Sequence, residues 1–523
     1  MNGIDWFDRG HDLSPDAPCM IDAVSGHRFS YRMIRGLTLR NACALHRRGY
    51  QIGAKAAVLS HNDPIAYSVV LSVMRAGLTW IPLNPRNTTA ELGAILASFD
   101  CELLFFLSKY ADQIARIAQL APNIREFVCI DKTEDGYPAL DDWAAGEVDT
   151  GFDITHDPER LFAIQPTGGT TGFPKGVMLS NRNVEYIVST FMAVAPCATP
   201  PVFLAITPLT HGAGMMFQYV LAQGGTAIVF ATVDRQLVLA SIPRYRASHT
   251  FLAPTVLYDL LAQSNVREFD YSSLRCIVFG AAPMAPAKLR EAISVFGPIM
   301  YQTYGQTETG FPNTVMKAAE HFVDDDISGE IASAQRLASC GRSAPYCRIA
   351  VMDDDGNMLV DAQVGEIVVR GLGVMRGYYK DPQATQEAWR FDWHHTGDIG
   401  WRDAQGFFYI VDRMKDMIIS GGFNIYSAEV ERALLMHPAV QDCAVIGVPD
   451  ERWGEAVKAV VQLKPGMQAG TDEIIALCRE QVGPMKAPKS VDFVADLPRS
   501  PAGKVLKREV RKPFWLAHDR QVS

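Results

Sequence analysis

Short runs of β-branched and apolar residues alternate with stretches of helical period through the first 410 residues of the chain. Residues 56–60 are an apolar run, residues 65–76 place their apolar positions at helical spacing, and residues 78–83 are apolar again. The same rhythm returns at 226–230, 250–253 and 276–280, each run bounded by Gly, Pro or polar turns. Continuous apolar runs of this length predict buried strands, and their alternation with helices predicts an α/β fold. From about 346 to 411 the pattern changes to short strands at 348–353, 365–370 and 407–411, with Asp355-Gly356 as a hairpin signal, which predicts a β-rich subdomain. A charged stretch and the pair Gly421-Gly422 follow. Residues 413–523 then read as a strand at 417–419, a helix at 428–436, strands at 440–448 and 456–463, a helix at 471–481 and a strand at 490–494. The expected organisation is α/β: a large N-terminal domain of several subdomains over 1–412 and a small α+β C-terminal domain over 413–523.

With 523 residues, 48% hydrophobic and 20% charged, the composition is that of an ordinary globular protein with mass enough for large cores. The formal charge of -9 argues against a nucleic-acid binder with a broad basic face. The balance is uneven, because residues 413–523 hold 16 Lys+Arg against 14 Asp+Glu and the acidic excess lies upstream. Ten cysteines are scattered without CxxC or zinc-ligand spacing, which reads as reduced thiols in a cytoplasmic protein. The acidic N-terminal residues Asp5 and Asp8 do not suit a secretory signal, and the longest apolar runs fall short of the roughly 20 residues of a membrane span.

The most informative string is Pro166-Thr167-Gly168-Gly169-Thr170-Thr171-Gly172-Phe173-Pro174-Lys175-Gly176, directly after the apolar run at 161–164. Glycines let the backbone approach a polyanion closely, threonines add hydroxyl donors and Lys175 adds a compact positive charge, a composition suited to a triphosphate. It is not a Walker A loop, because GxxxxGK[ST] is not met. Four further strings follow in order: Tyr304-Gly305-Gln306-Thr307-Glu308; Thr396-Gly397-Asp398; Asp412-Arg413-Met414-Lys415-Asp416 leading to Ser420-Gly421-Gly422; and Pro498-Arg499-Ser500-Pro501-Ala502-Gly503-Lys504. Singly, each would read as a flexible loop, a turn acid or a solvated lysine.

In this order and spacing they resemble the motifs of the adenylate-forming enzymes, a family of acyl- and aryl-CoA synthetases, peptide-synthetase adenylation domains and luciferases. The likeness runs from about residue 25 to 510. It implies ATP, Mg²⁺ and CoA as cofactors and co-substrates, and a small-molecule carboxylic acid as the partner. By the same resemblance Thr167, Gly168, Gly169, Thr170, Thr171, Gly172 and Lys175 hold the phosphates. Ala281, Ala282, Tyr304 and Thr307 hold the adenine side, and Asp398 and Arg413 the ribose. Glu308, with Thr171, binds the metal, and Lys504 is the catalytic lysine of adenylation. His211, Met215 and Gly280 line the acyl pocket, with His211 also a candidate gate to the thiol tunnel. Lys415 is the hinge about which the small mobile domain turns, bringing Gly421, Gly422 and Phe423 to the CoA side.

Two departures bear on detail: Gly421-Gly422 is followed by Phe423-Asn424 where many CoA synthetases have Glu-Asn, and the phosphate loop opens on Thr-Gly-Gly. The reading is an AMP-forming acid:CoA ligase. One alternative is an adenylation enzyme loading a carrier-protein thiol, which predicts an acid near His211 that residues 211–220 lack. Another is a catalytically silent binding protein, against which the retention of Lys175, Glu308, Asp398, Arg413 and Lys504 speaks. The acid itself is not legible, the lean being a medium-length, cyclic or aromatic monocarboxylate. A homodimer is the default assembly.

Overall fold

The computed structural model describes residues 1–134, 136–147, 152–167, 174–499 and 505–515. By density of contacts the chain divides into two compact units, unit 1 of Met1–Ile349 with Val369–His394, and unit 2 of Ala350–Val368 with His395–Ser523.

Unit 1 carries two sheets. The larger has nine strands in the order Arg342–Ser343, Gly310–Met316, Met300–Gln306, Cys276–Gly280, His249–Leu252, Val202–Ala205, Thr226–Val229, Pro18–Asp22 and Arg28–Ser30. Its six central strands run parallel and its edges are antiparallel. The smaller has six strands in the order Glu126–Cys129, Leu103–Phe106, Lys55–Leu59, Thr79–Pro82, Leu161–Thr167 and Lys175–Ser180, with only the last pair antiparallel. Strands covered on both faces must be apolar along their whole length. Cys276–Gly280 and Leu103–Phe106 accordingly have no residue outside the core. The predicted helix at 65–76 is Pro64–Arg75, started by Asp63, whose carboxylate accepts from the Ala66 N–H at 2.9 Å, with Pro64 at the first turn.

The β-rich stretch expected at 346–411 contains the strands Cys347–Met352, Gly365–Gly371, Trp393–Arg402 and Phe408–Arg413. The last 110 residues follow the predicted order with two additions: a second short strand, Phe423–Ile425, and a terminal helix, Lys507–Trp515. The long hairpin of Val440–Asp450 and Gly454–Leu463 is flanked by Ile418–Ser420 and, in parallel, by Ser490–Val494. A separate small core gathers Ile418, Val430, Leu434, Val445, Val457 and Ile474. None of the ten cysteines is paired, and among the described residues no helix is long and apolar enough to cross a membrane.

His249 and His321 are enclosed in unit 1, and burial pushes each down to about 4. A histidine whose folded pKa lies below its unfolded value stabilises the fold above the unfolded pKa near 6.5, and that contribution is lost as pH falls toward the folded value. Each contributes up to about 3 kcal/mol at neutral pH by this linkage. The melting temperature is expected to fall between pH 7 and pH 5, and His249→Gln should flatten that dependence. Equal pH profiles for wild type and variant in differential scanning calorimetry would refute the assignment.

Candidate active site

The phosphate-loop string bridges two antiparallel strands of unit 1, Leu161–Thr167 and Lys175–Ser180, whose last registered pair is Thr167 with Lys175. The Thr167 hydroxyl donates to the Lys175 carbonyl at 3.4 Å. Gly168, Gly169, Thr170, Thr171 and Gly172 lie outside the described residues, as does Lys504. Gly176 has to be glycine, since a Cβ there would stand 2.7 Å from both Phe99 and Ile164.

Residues 375–379 stitch this hairpin to the turn that carries Glu308. The Met178 N–H donates to the Gly377 carbonyl at 3.0 Å, the Arg376 N–H to the Met178 carbonyl at 3.0 Å, and the Tyr379 N–H to the Gly176 carbonyl at 2.7 Å. The Met375 N–H in turn donates to the Glu308 carbonyl at 2.8 Å. Tyr378 is thereby set between the two charged candidates: Lys175 Nζ lies 4.7 Å from its ring centroid, and its hydroxyl donates to Glu308 Oε1 at 3.1 Å. Burial, and next the charge of Glu308, push the phenol above its ordinary pKa, so Tyr378 stays a donor. Sequence reasoning missed Tyr378; its signal, a glycine followed by two aromatics at 377–379, is a common one.

Open parallel sheets bind ligands beyond the carboxyl ends of their strands, and three of the expected segments lie there. Gly280 ends a fully buried strand beside Thr303, and a Cβ on it would come within 2.5 Å of the Thr303 carbonyl oxygen. Ala281 follows at φ +67, a left-handed conformation that turns the exposed Ala281 and Ala282 off the sheet. The neighbouring strand, Met300–Gln306, carries Tyr304 to the same edge and passes into a turn of 3₁₀ helix, Thr307–Thr309, which holds Thr307 and Glu308.

At the end of Val202–Ala205, Asn62 braces the segment leading to His211. Its Nδ2 donates to the Ala205 and Thr207 carbonyls at 3.2 and 3.0 Å, and its Oδ1 accepts from the Leu209 N–H at 2.9 Å. His211 then precedes the helix Gly212–Ala222, its Nδ1 2.9 Å from the Thr210 hydroxyl. The residue keeps solvent access, while the surrounding protein displaces enough water from its ring to hold its pKa below the usual value. Gly214 is required where the helix passes the Leu209 carbonyl oxygen, 1.8 Å from where a Cβ would sit, and Met215 faces inward.

In unit 2, Asp398 and Arg413 are registered opposite each other on the paired strands Trp393–Arg402 and Phe408–Arg413. Arg413 Nε stands 3.4 Å from the buried Asp398 Oδ1. A buried group that the sequence did not single out shapes this turn. Glu366 accepts from the Gly397 N–H at 2.8 Å through Oε1, while its Oε2 lies 2.6 Å from His395 Nδ1. Gly397 takes φ +69, and the Thr396 hydroxyl accepts from the Asp398 N–H at 3.1 Å. Lys415 lies in the 3₁₀ turn Met414–Asp416 that follows. Gly421 and Gly422 both have positive φ, and the Gly421 N–H donates to the Trp453 carbonyl at 2.8 Å. A Cβ on Gly421 would meet the Trp453 ring at 2.7 Å, and Phe423 stands exposed beside it.

Among the described residues no cluster of three or more His, Cys, Asp or Glu could cage a metal. Glu308 is a single carboxylate, and a single carboxylate is compatible with Mg²⁺, which keeps several waters and takes one or two carboxylates together with phosphate oxygens. The structure thus brings Lys175 together with Glu308, and Asp398 together with Arg413.

Comparison with known proteins identifies the family. The AMP-binding enzyme model matches residues 7–379, and the AMP-binding enzyme C-terminal domain matches residues 429–504. The chain is 39% identical over 494 residues, 92% of it and 85% of the relative, to the medium/long-chain-fatty-acid–CoA ligase FadD8 of Mycobacterium tuberculosis. It is 33% identical over 515 residues, 97% and 98% of the two chains, to a feruloyl-CoA synthase of an Amycolatopsis species. Among solved structures it resembles the amide bond synthetase McbA from Marinactinospora thermotolerans, with a TM-score of 0.87, 29% identity and coverage of 98% and 100%. With matches that extend over nearly its whole length and take in both parts, the chain belongs to the AMP-binding enzyme family.

Proposed function

We propose that the protein is an AMP-forming acid:CoA ligase for an apolar monocarboxylic acid. The observation that carries this reading is the Lys175–Tyr378–Glu308 group at the base of the phosphate hairpin, where a cation and a carboxylate are held by one phenol. The substrate carboxylate oxygen attacks the α-phosphorus of ATP, the bond to the β-phosphate oxygen breaks, and pyrophosphate leaves. Lys175 attracts the phosphates, Tyr304, Ala281 and Ala282 bound the adenine side, and Asp398 accepts the ribose hydroxyls with Arg413 beside it. Mg²⁺, held through Glu308, would neutralise charge on the phosphate oxygens. The Lys504 ammonium stabilises charge shared by the attacking carboxylate and the α-phosphate.

In the second half-reaction the CoA sulfur attacks the acyl carbon and AMP leaves. We assign rotation about Lys415 to the step between, with Gly421, Gly422 and Phe423 on the thiol side. An apolar acid is supported by Met215 and the helix behind it, and by the printed names of the two relatives above, which concern fatty acids and ferulate. Ten unpaired cysteines suit a reducing cytoplasm.

Incubation with ATP, Mg²⁺, CoA and a panel of fatty, cyclic and aromatic acids should yield acyl-CoA and AMP by mass spectrometry. Absence of both from every acid would sink the ligase reading, and transfer only to a phosphopantetheinyl protein would redirect it to carrier loading. Lys504→Ala should lower acid-dependent ATP–pyrophosphate exchange by about 100-fold or more while sparing acyl transfer from a synthetic acyl-adenylate to CoA.

Tyr378→Phe removes the hydrogen bond to Glu308 and leaves the ring under Lys175. It should reduce exchange by about tenfold and raise the Mg²⁺ concentration needed for half-maximal rate. An unchanged Mg²⁺ dependence would exclude Tyr378 from the support of Glu308.

A further inference from the structure

Unit 2 buries a chain of polar and charged groups that none of the roles above uses. Asp412 is enclosed, and its Oδ2 accepts from the Ser427 hydroxyl at 2.7 Å and from the Ala428 N–H at 3.3 Å, at the first turn of the helix Ser427–Leu434. The Lys507 ammonium donates to the same Ser427 oxygen at 2.7 Å and lies 2.8 Å from Glu431 Oε1, one turn further along that helix. The same Glu431 oxygen accepts from the Val445 N–H at 2.7 Å. Four side chains therefore join three elements: the strand ending at Arg413, the helix Ser427–Leu434 and the helix Lys507–Trp515.

Side-chain exposure is 18% for Lys507 and 17% for Glu431. Burial disfavours the Lys507 ammonium, but Glu431 and Asp412 outweigh it and hold its pKa above the ordinary value. Burial raises Glu431 to about 7, opposed by Lys507 and the Val445 N–H. Hydrophobic side chains of similar volume in place of both Lys507 and Glu431 would fill this space without the desolvation cost, so such a pair is weak evidence for stability and better evidence for a fixed geometry.

The placement says which geometry. Lys507 is three residues beyond Lys504, and Asp412 is three residues before Lys415. The residues on either side of 500–504 are also joined, because Arg499 and Val505 form an antiparallel bridge and the Leu506 N–H donates to the Pro498 carbonyl at 2.8 Å. Arg499 is in turn tied to Asp442 at 2.7 Å and to Gln462 at 3.4 Å.

We propose that Lys507 is a positioning residue for the first half-reaction, anchoring the chain three residues beyond Lys504 through Ser427 to Asp412 on the strand that leads to Lys415. The proposal rests on the assignment of Lys504 to adenylation.

The test uses the full chain and the acid that gives most acyl-CoA. Lys507→Met keeps the length of the side chain and removes its donors. Acid-dependent ATP–pyrophosphate exchange should fall about 10- to 100-fold in kcat, the loss that a displaced catalytic group brings. KM for ATP and for the acid, and transfer from synthetic acyl-adenylate to CoA, should stay within about threefold, as expected of a group that touches neither substrate. Lys507→Arg should restore most of the exchange. The double variant Lys504→Ala/Lys507→Met should be no slower than Lys504→Ala alone, because a residue acting through Lys504 has nothing left to position. Ser427→Ala, which cuts the link but leaves Lys507 paired with Glu431 and Asp412 with the Ala428 and Arg413 N–H groups, should shift exchange the same way and decides the matter if Lys507→Met does not fold.

Exchange at the wild-type rate in the folded variants, an equal fall in both half-reactions, or an additive double variant would overturn the positioning role. Wild-type exchange by Lys504→Ala would overturn the Lys504 assignment itself, and the positioning claim with it. Loss in Lys504→Ala with none in Lys507→Met or Ser427→Ala overturns only the positioning claim.

Discussion

The hydrogen bonds of residues 375–379 are the constraint on which the unit 1 site depends. Lys175 stands on a hairpin of the six-stranded sheet and Glu308 on a turn at the edge of the nine-stranded one. Their side chains approach a common point because one short segment bonds to Gly176 and Met178 on one side and to the Glu308 carbonyl on the other. Main-chain bonds of this kind are insensitive to which side chains flank them, so they hold a position while leaving Tyr378 free to be chosen for its chemistry. The phenol suits both neighbours: its ring face attracts the ammonium and its hydroxyl donates to the carboxylate. Two opposite charges are kept in one site, each with a partner, before any ligand supplies one.

Unit 2 solves a related problem by burying acids. The proposed ribose role of Asp398 would need a fixed orientation, and its turn is held from behind by Glu366, which takes the Gly397 N–H and faces His395. Asp412 serves the next element in the same way through Ser427 and the first turn of the following helix. Partnered carboxylates inside a protein are demanding groups, because removing one partner strands the other in a medium that solvates it badly.

The fold was legible where burial leaves a strong pattern. Runs such as Cys276–Gly280 had to be apolar throughout to lie inside a parallel sheet, and the sequence reading found that strand to the residue. Phe423–Ile425 was missed because three residues between glycines and a helix carry no usable period. The helix Lys507–Trp515 was missed because Val510 is its only buried residue and Pro513 lies within it. The strand that carries Tyr304 runs to Gln306 although Tyr-Gly-Gln is a poor strand signal, because antiparallel pairing with Gly310–Met316 sustains it. In the site, residues inside ordered motifs were legible from type and spacing. Tyr378, Asn62 and Glu366 were not, because each acts on a segment far away in sequence and lies in a string of ordinary composition.

Glycine divides what this site can vary from what it cannot. At Gly176, Gly214 and Gly280 a single added carbon would collide with neighbouring side-chain or main-chain atoms, so the hairpin that carries Lys175, the start of the helix after His211 and the strand end beside Tyr304 are fixed by close packing on glycine. Between these points stand side chains with no such restriction, Met215 among them, and a thioether on an unbranched stem adapts its shape readily. On the proposed function, nucleotide handling would rest on glycines that leave no room for a side chain, while choice of acid would rest on side chains that tolerate many replacements. On that reading, the separation of a rigid phosphate frame from an adaptable apolar wall would be a physical reason why chains resembling this one bear names as different as fatty-acid ligase and feruloyl-CoA synthase.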